Sequence, residues 1–229
     1  IMTGEHAYHI ELNKMVRTQY NDAFSVFGGP HPTYTPGMIH DEYVDAICRG
    51  EGEIYFPLLI EKYSKNEDYF TTPNFWFKKK DGSIVKNGFG DLVENLDTLP
   101  NPDRKLMYDA DTQLSARGQK LFMSNRGCPY KCTYCFNHAY NKMTKGHGDM
   151  MRYRSVDSVI EEIREVKDNY FLDRVNIDDD IFLLKPKGWL EEFAEKYPQS
   201  KYLGQALYLK AEAEYRKTFN ELNPNYDRA

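Results

Sequence analysis

The sequence predicts an α/β chain, and three observations lead there. Short apolar runs such as Phe24-Ser-Val-Phe and Tyr43-Val-Asp-Ala-Ile-Cys end in turns rich in glycine. The runs near Cys48 and Lys120 pass through such turns towards stretches whose apolar residues recur at helical spacing. Hydrophobic residues make up 41% of the 229 positions, ample for a core, and the length suits one large or two modest domains. A net charge of -5 argues against a general nucleic-acid surface, and Lys78, Lys79 and Lys80 read as a solvated strand end. No apolar run approaches the ~20 residues of a membrane span, and the first residues lack a secretory pattern, so a soluble, cytoplasmic protein is expected.

In chain order, Thr3 to Gln19 carries Ile10, Met15 and Val16 at helical spacing. The strand at Phe24 runs into Gly28-Gly-Pro-His-Pro-Thr33, read as a loop in which Gly28 and Gly29 let the backbone approach a ligand. Tyr43 to Cys48 is a second strand, and Ile54 to Tyr63 a helix; Glu51 and Glu53 between them read as helix-dipole partners. Phe75-Trp-Phe-Lys and Ser83-Ile-Val-Lys flank Asp81-Gly82, which predicts a hairpin with a type I′ turn. Two prolines between Leu96 and Arg104 mark a linker. Lys120 to Ser124 is a strand, Ser155 to Tyr170 a helix capped by Ser155 with Val156, Val159, Ile160, Ile163 and Val166 inward, and Arg174 to Asp178 the next strand. Two βα steps in succession imply a parallel sheet or barrel whose functional loops share one face. Trp189 to Tyr197 and Tyr202 to Phe219 complete the helices, and Tyr197 to Tyr215 resembles one step of a tetratricopeptide-like array.

Three of the four cysteines, Cys128, Cys132 and Cys135, crowd into Arg126-Gly-Cys-Pro-Tyr-Lys-Cys-Thr-Tyr-Cys-Phe. That spacing is poor for disulfides and good for a metal, which points to a reducing compartment, while Cys48 reads as a small buried apolar residue. Thiolates select zinc or an iron–sulfur cluster, and a closed site of either kind wants four protein ligands. His138 is available as a fourth ligand to zinc; three cysteines alone leave one coordination position open, which implies chemistry.

The C-x-x-x-C-x-x-C spacing, with Tyr134 just before the last cysteine, resembles the radical S-adenosylmethionine superfamily. The resemblance implies a 4Fe-4S cluster held by Cys128, Cys132 and Cys135, whose remaining iron takes the amino and carboxylate groups of S-adenosylmethionine. It also implies reductive release of a 5′-deoxyadenosyl radical, with the electron supplied by a donor such as flavodoxin or ferredoxin. Asp179-Asp-Ile-Phe182 resembles an element of the cobalamin-linked members, which implies that Asp179 and Asp180 help to hold S-adenosylmethionine through its ammonium. Gly28-Gly-Pro-His-Pro-Thr33, with Val44 to Glu53, is similar to the later half of the cobalamin-binding, Rossmann-like domain that precedes many such barrels. By that likeness Gly28 and Gly29 face the nucleotide tail of cobalamin, the third candidate cofactor, and His31 shapes the loop.

The organisation so implied is a partial Rossmann-like cobalamin-binding domain at 1–95, a linker at 96–119, a partial radical SAM barrel at 120–198 and a helical, repeat-like tail at 199–229. About six βα units of roughly 30 residues would complete such a barrel; two precede the tail, so the resemblance is to a truncated member with incomplete cofactor sites. No catalytic residue for the substrate step is assigned, and the substrate, a small molecule or a macromolecule, is not legible. The rival class is a non-catalytic metal-binding or interaction module carrying zinc or an electron-transfer cluster; an inactive truncated product is the third.

Overall fold

Glycine-punctuated apolar segments of this kind form two compact units in the computed structural model, which describes Ile1–Lys196. The first unit comprises Ile1–Glu94 and Tyr130–Asp149; the second comprises Asn95–Pro129 and, among the described residues, 150–196. In chain order the elements are α1 (His6–Gln19), β1 (Val26–Phe27), α2 (Pro30–Tyr34), β2 (Ala46–Cys48), α3 (Tyr55–Ser64), β3 (Phe75–Lys78) and β4 (Ile84–Lys86). There follow α4 (Arg104–Ala110), α5 (Thr112–Ala116), β5 (Gln119–Phe122), β6 (Asn125–Arg126), α6 (Asn137–Met143), β7 (Arg152–Tyr153), α7 (Val156–Asn169), β8 (Arg174–Ile177) and α8 (Trp189–Lys196). The tail expected at 199–229 lies outside the described residues.

The first unit is built on a four-stranded sheet ordered β1-β2-β3-β4. β1 and β2 are parallel, with Phe27 opposite Ile47, while β3 and β4 add an antiparallel hairpin, with Phe77 opposite Val85. The all-buried pattern of β2 and the buried Phe75 and Phe77 of β3 place this strand pair at the centre of the unit. Phe27, Met38, Ile39, Val44 and Ile47 form one cluster, and Ala46, Cys48, Leu59, Phe75 and Phe77 another. Arg17 of α1 reaches Asp45 at 2.6 Å, and the Asp45 carboxylate also accepts from Ser25 N, so the helix is fastened where β1 begins.

Two local expectations change. The hairpin turn is not type I′: Asp81 does not take positive φ, while Gly82 does, at φ +81°. Lys79 N donates to Ser83 O and the Asp81 carboxylate accepts from Ser83 N and Oγ, which makes a three-residue loop with glycine in the left-handed position. The stretch after Gly29 is a short helix, because Pro30 sits at its first position and Thr33 Oγ1 donates back to Gly29 O at 2.8 Å.

In the second unit β5 and β8 pair in parallel, Gln119 opposite Arg174 and Phe122 opposite Ile177, with α7 as the crossover. The Ser155 side chain accepts from Ser158 N, as its position predicts, and Val156, Val159, Ile160, Ile163 and Val166 are buried. They pack with Phe122 and with Trp189, Leu190 and Phe193 of α8. The segment 96–119, expected as a linker, carries α4 and α5, capped by Asp103 and Asp111, and it is grouped with the second unit. Arg104 of α4 meets Glu162 of α7 at 2.6 Å, and Arg154 bonds the other oxygen of the same carboxylate, whose side chain is 3% exposed. Two guanidiniums offset the burial of that one charge.

Candidate functional site

Within the second unit, β5 delivers the chain through Met123 and Ser124 to the two residues of β6, which pair antiparallel with β7, Asn125 opposite Tyr153 and Arg126 opposite Arg152. Gly127 follows with φ +91°, and a Cβ built on it would lie 1.9 Å from Met150 O. Only glycine allows the backbone this close to the segment that leads into β7. Cys128 comes next and is 9% exposed. The parallel partner β8 ends level with the end of β5, since Asp178 N donates to Phe122 O at 2.8 Å, and it opens into Asp179 and Asp180.

The two carboxylates have different surroundings. Asp179 accepts from Ser124 N at 2.7 Å and Asn125 N at 3.0 Å through one oxygen, and from Ser124 Oγ and Lys185 Nζ through the other. The Lys185 bond is 2.7 Å long and both side chains are 0% exposed. Lys185 also donates to Ser124 Oγ at 2.6 Å and lies 4.9 Å from the ring centre of Trp189 and 5.2 Å from that of Phe182. Burial pulls the Lys185 ammonium below its usual pKa, against the opposing pull of Asp179. Asp178 and Asp180 are exposed. Beside this network, Asn125 Nδ2 donates to Ile181 O at 3.1 Å, while its buried Oδ1 has no hydrogen-bond partner among the described residues.

In the first unit, Cys132 and Cys135 stand in a tight turn, with Cys135 N donating to Cys132 O at 3.1 Å, ahead of α6. Cys132 is exposed and Cys135 half-buried. Tyr134 is 92% exposed, and His138 is exposed as well. Gly28 and Gly29 lie between β1 and α2, where Ile1 covers the turn: its amino group bonds Gly28 O and its carbonyl accepts from His31 N at 3.0 Å. His31 is buried and stacked on His6, with ring centres 4.3 Å apart, in a packing role. Cys48 is buried in the sheet, its thiol pushed up to about 12, first by burial and then by Glu53. The Glu51 carboxylate accepts from Val93 N, a tie within the unit.

None of the four cysteines is in a disulfide. Among the described residues no group of three His, Cys, Asp or Glu is arranged to hold a metal ion. The residues fit a cluster through donor chemistry alone: three thiols within the eight residues 128–135 are the type of donor an iron–sulfur cluster takes. Sequence reasoning missed Ser124, Asn125 and Lys185. Ser124 and Asn125 could have been picked out as the strand end immediately before the cysteine loop, whereas Lys185 carries no local signal.

No helix among the described residues is long and apolar enough to cross a membrane. No protein-family model matches the chain. Among characterised relatives, the cobalamin-dependent radical SAM methyltransferase TokK of Streptomyces tokunonensis is 32% identical over 133 residues, 55% of this chain and 19% of TokK. Cytidylyl-2-hydroxyethylphosphonate methyltransferase of Streptomyces wedmorensis is 25% identical over 208 residues, covering 77% of this chain and 37% of the enzyme. An uncharacterized methyltransferase of Pyrococcus horikoshii is 29% identical over 177 residues, 76% of this chain and 37% of that protein. This chain thus spans 37% or less of the length of these relatives. Among solved structures, the cobalamin-dependent S-adenosylmethionine radical enzyme OxsB, with aqua-cobalamin and S-adenosylmethionine bound, superposes with a TM-score of 0.69 at 16% identity, over 88% of this chain and 28% of OxsB. The radical S-adenosylmethionine methyltransferase TsrM of Kitasatospora setae gives 0.63 at 18% identity, over 86% and 37%. The mixed α/β fold is similar to both. By sequence and by fold, this chain is similar to part of the cobalamin-dependent radical S-adenosylmethionine methyltransferases, the type of enzyme its cysteine loop resembles.

Proposed function

We propose that this chain is part of a cobalamin-type radical S-adenosylmethionine enzyme whose reaction is methyl transfer. The observation that carries the reading is the cysteine loop itself: Cys128, Cys132 and Cys135, none in a disulfide, follow β5 and β6 in the chain, and Asp179-Asp180 follows β8, the parallel partner of β5. In this reading residues 1–95 are a partial cobalamin-binding domain and residues 120–198 a partial barrel. Cys128, Cys132 and Cys135 would hold a 4Fe-4S cluster, which would supply an electron to S-adenosylmethionine, while a bound cobalamin would carry the methyl group that is transferred.

The chain's own residues have the following parts. Cys128, Cys132 and Cys135 provide three thiolates and leave one coordination position for a substrate-derived ligand. Asp180, exposed at the end of β8, offers a carboxylate to an ammonium, with Asp179 beside it. Tyr134 exposes its ring within the loop, and Gly28 and Gly29, in the turn after β1 that Ile1 covers, are the residues this reading gives to the cobalamin tail. The electron comes from a partner of the flavodoxin or ferredoxin type. The names of the relatives favour methyl transfer over other radical steps.

The test is anaerobic reconstitution of the chain with iron and sulfide. About four irons per chain and a reduced electron-paramagnetic signal that moves on addition of S-adenosylmethionine support the reading. A colourless protein carrying stoichiometric zinc would refute it in favour of a structural metal module.

A further inference from the structure

The feature that the proposed function leaves unexplained is the charge pair sealed where β5 and β8 end. Asp179 was expected to meet S-adenosylmethionine, yet its carboxylate takes two consecutive backbone amides, Ser124 and Asn125, together with the Ser124 hydroxyl and the Lys185 ammonium. Both charged side chains are 0% exposed, and the ammonium lies against Trp189 and Phe182. Burying two charges is costly, and an apolar pair of equal volume commonly holds two strand ends together as well or better. What an apolar pair lacks is the grip on consecutive amides. One carboxylate oxygen bridging Ser124 N and Asn125 N sets the rotation of the backbone that continues through Arg126 and the left-handed Gly127 to Cys128. The same carboxylate is one residue from Asp180, so it registers the first thiol of the loop against the exposed carboxylate of the next.

We infer that Asp179 and Lys185 are positioning residues that fix the backbone leading to Cys128, and that Asp180 is the carboxylate that meets the ammonium of S-adenosylmethionine. The assignment rests on the function proposed above and divides between two residues a role the sequence gives to both. Lys185 pairs with Asp179 and keeps its carboxylate turned inward; Ser124 Oγ, touching both side chains, completes the lock.

The experiment uses the full chain, reconstituted anaerobically, and reads three quantities for each variant: iron per chain, melting temperature, and the S-adenosylmethionine concentration that half-shifts the reduced cluster signal, measured well below melting. Asp180→Asn is expected to keep iron and melting temperature while raising the half-shift concentration about tenfold, the worth of one charge-assisted hydrogen bond. Asp179→Asn and Lys185→Met are expected to keep iron, since all three thiols remain, and to raise it by a similar factor, with Lys185→Arg recovering most of the loss. Should those two variants not fold, Ser124→Ala, which removes one hydroxyl and leaves both amide bonds, is expected to raise it about threefold. A half-shift concentration within about twofold of wild type in Asp179→Asn and Lys185→Met, whatever their melting temperatures, overturns the positioning role. An unchanged value in Asp180→Asn, or in Ser124→Ala where only that variant folds, overturns it too. A wild-type cluster signal that ignores S-adenosylmethionine defeats the parent reading, and the inference with it.

Discussion

Replacing Gly127 by alanine puts the geometry of the cysteine loop under direct test. Its φ of +91° costs an L-residue about 1–2 kcal/mol. The added methyl would stand 1.9 Å from Met150 O, so that carbonyl must retreat by well over an ångström. The retreat pulls on β7, which begins two residues later and pairs with β6 through only Asn125–Tyr153 and Arg126–Arg152. Losing one or two such bonds adds roughly 1 kcal/mol each. The expected cost is thus about 3–4 kcal/mol. Gly82→Ala is the matched control: its φ is +81° but nothing lies within 4 Å of the new Cβ, so only the conformational part, about 1–2 kcal/mol, applies. Each unit holds one of the two tryptophans, Trp76 and Trp189. Urea unfolding followed by Trp189 fluorescence in a Trp76→Phe background therefore reports Gly127→Ala, and the reverse background reports Gly82→Ala. A loss below about 1 kcal/mol for Gly127→Ala, or equal losses for the two, would refute the argument that close approach to Met150 fixes the glycine.

Further outcomes follow from other residues. Cys132→Ala should abolish iron binding while Cys48→Ala leaves it intact, because Cys48 is buried in the sheet with its thiol held protonated; equal iron loss in both would mean that the ligands are misassigned. Glu162→Gln should destabilise the second unit by about 3–5 kcal/mol, since it strips the charge that Arg104 and Arg154 share in the interior; a change within 1 kcal/mol by Trp189-monitored unfolding would contradict this. Burial, with His6 next, holds the His31 pKa below its ordinary 6.5, so the unfolded chain takes up the proton first as pH falls. Stability of the first unit should then decline below about pH 6.5 and level off under the folded-state pKa. His31→Asn should flatten that decline in Trp76-monitored melts between pH 7 and 5, and parallel profiles would speak against it.

Where local rules decide, the sequence was informative. The stripe of α7 and its Ser155 cap, the strand that feeds the cysteine loop and the β3–β4 hairpin all depend on neighbours a few residues apart. The hairpin's turn type was misread because Asp81 stabilises the loop through its side chain, accepting from Ser83 while Gly82 alone takes positive φ. Leu96 to Arg104 read as a linker on the weight of its prolines, although Asp103 and Asp111 are helix caps visible in the sequence, accepting from Leu106 N and Leu114 N. What no local pattern could show was the interior ion pair. Lys185 meets a hydroxyl 61 residues earlier, and only the parallel pairing of β5 with β8 brings them together. The same long-range closure separates Asp179 from Asp180, adjacent in sequence but opposite in exposure.

The central claim is that the three thiols hold a cluster with one position open to S-adenosylmethionine. Electron–nuclear double resonance on the reduced, reconstituted chain, with S-adenosylmethionine labelled with 15N in its amino group and 17O in its carboxylate, tests it most directly. Hyperfine coupling from both labels to the cluster, absent in Cys132→Ala, is the predicted result. A cluster that forms and reduces but shows no coupling to either label would contradict it.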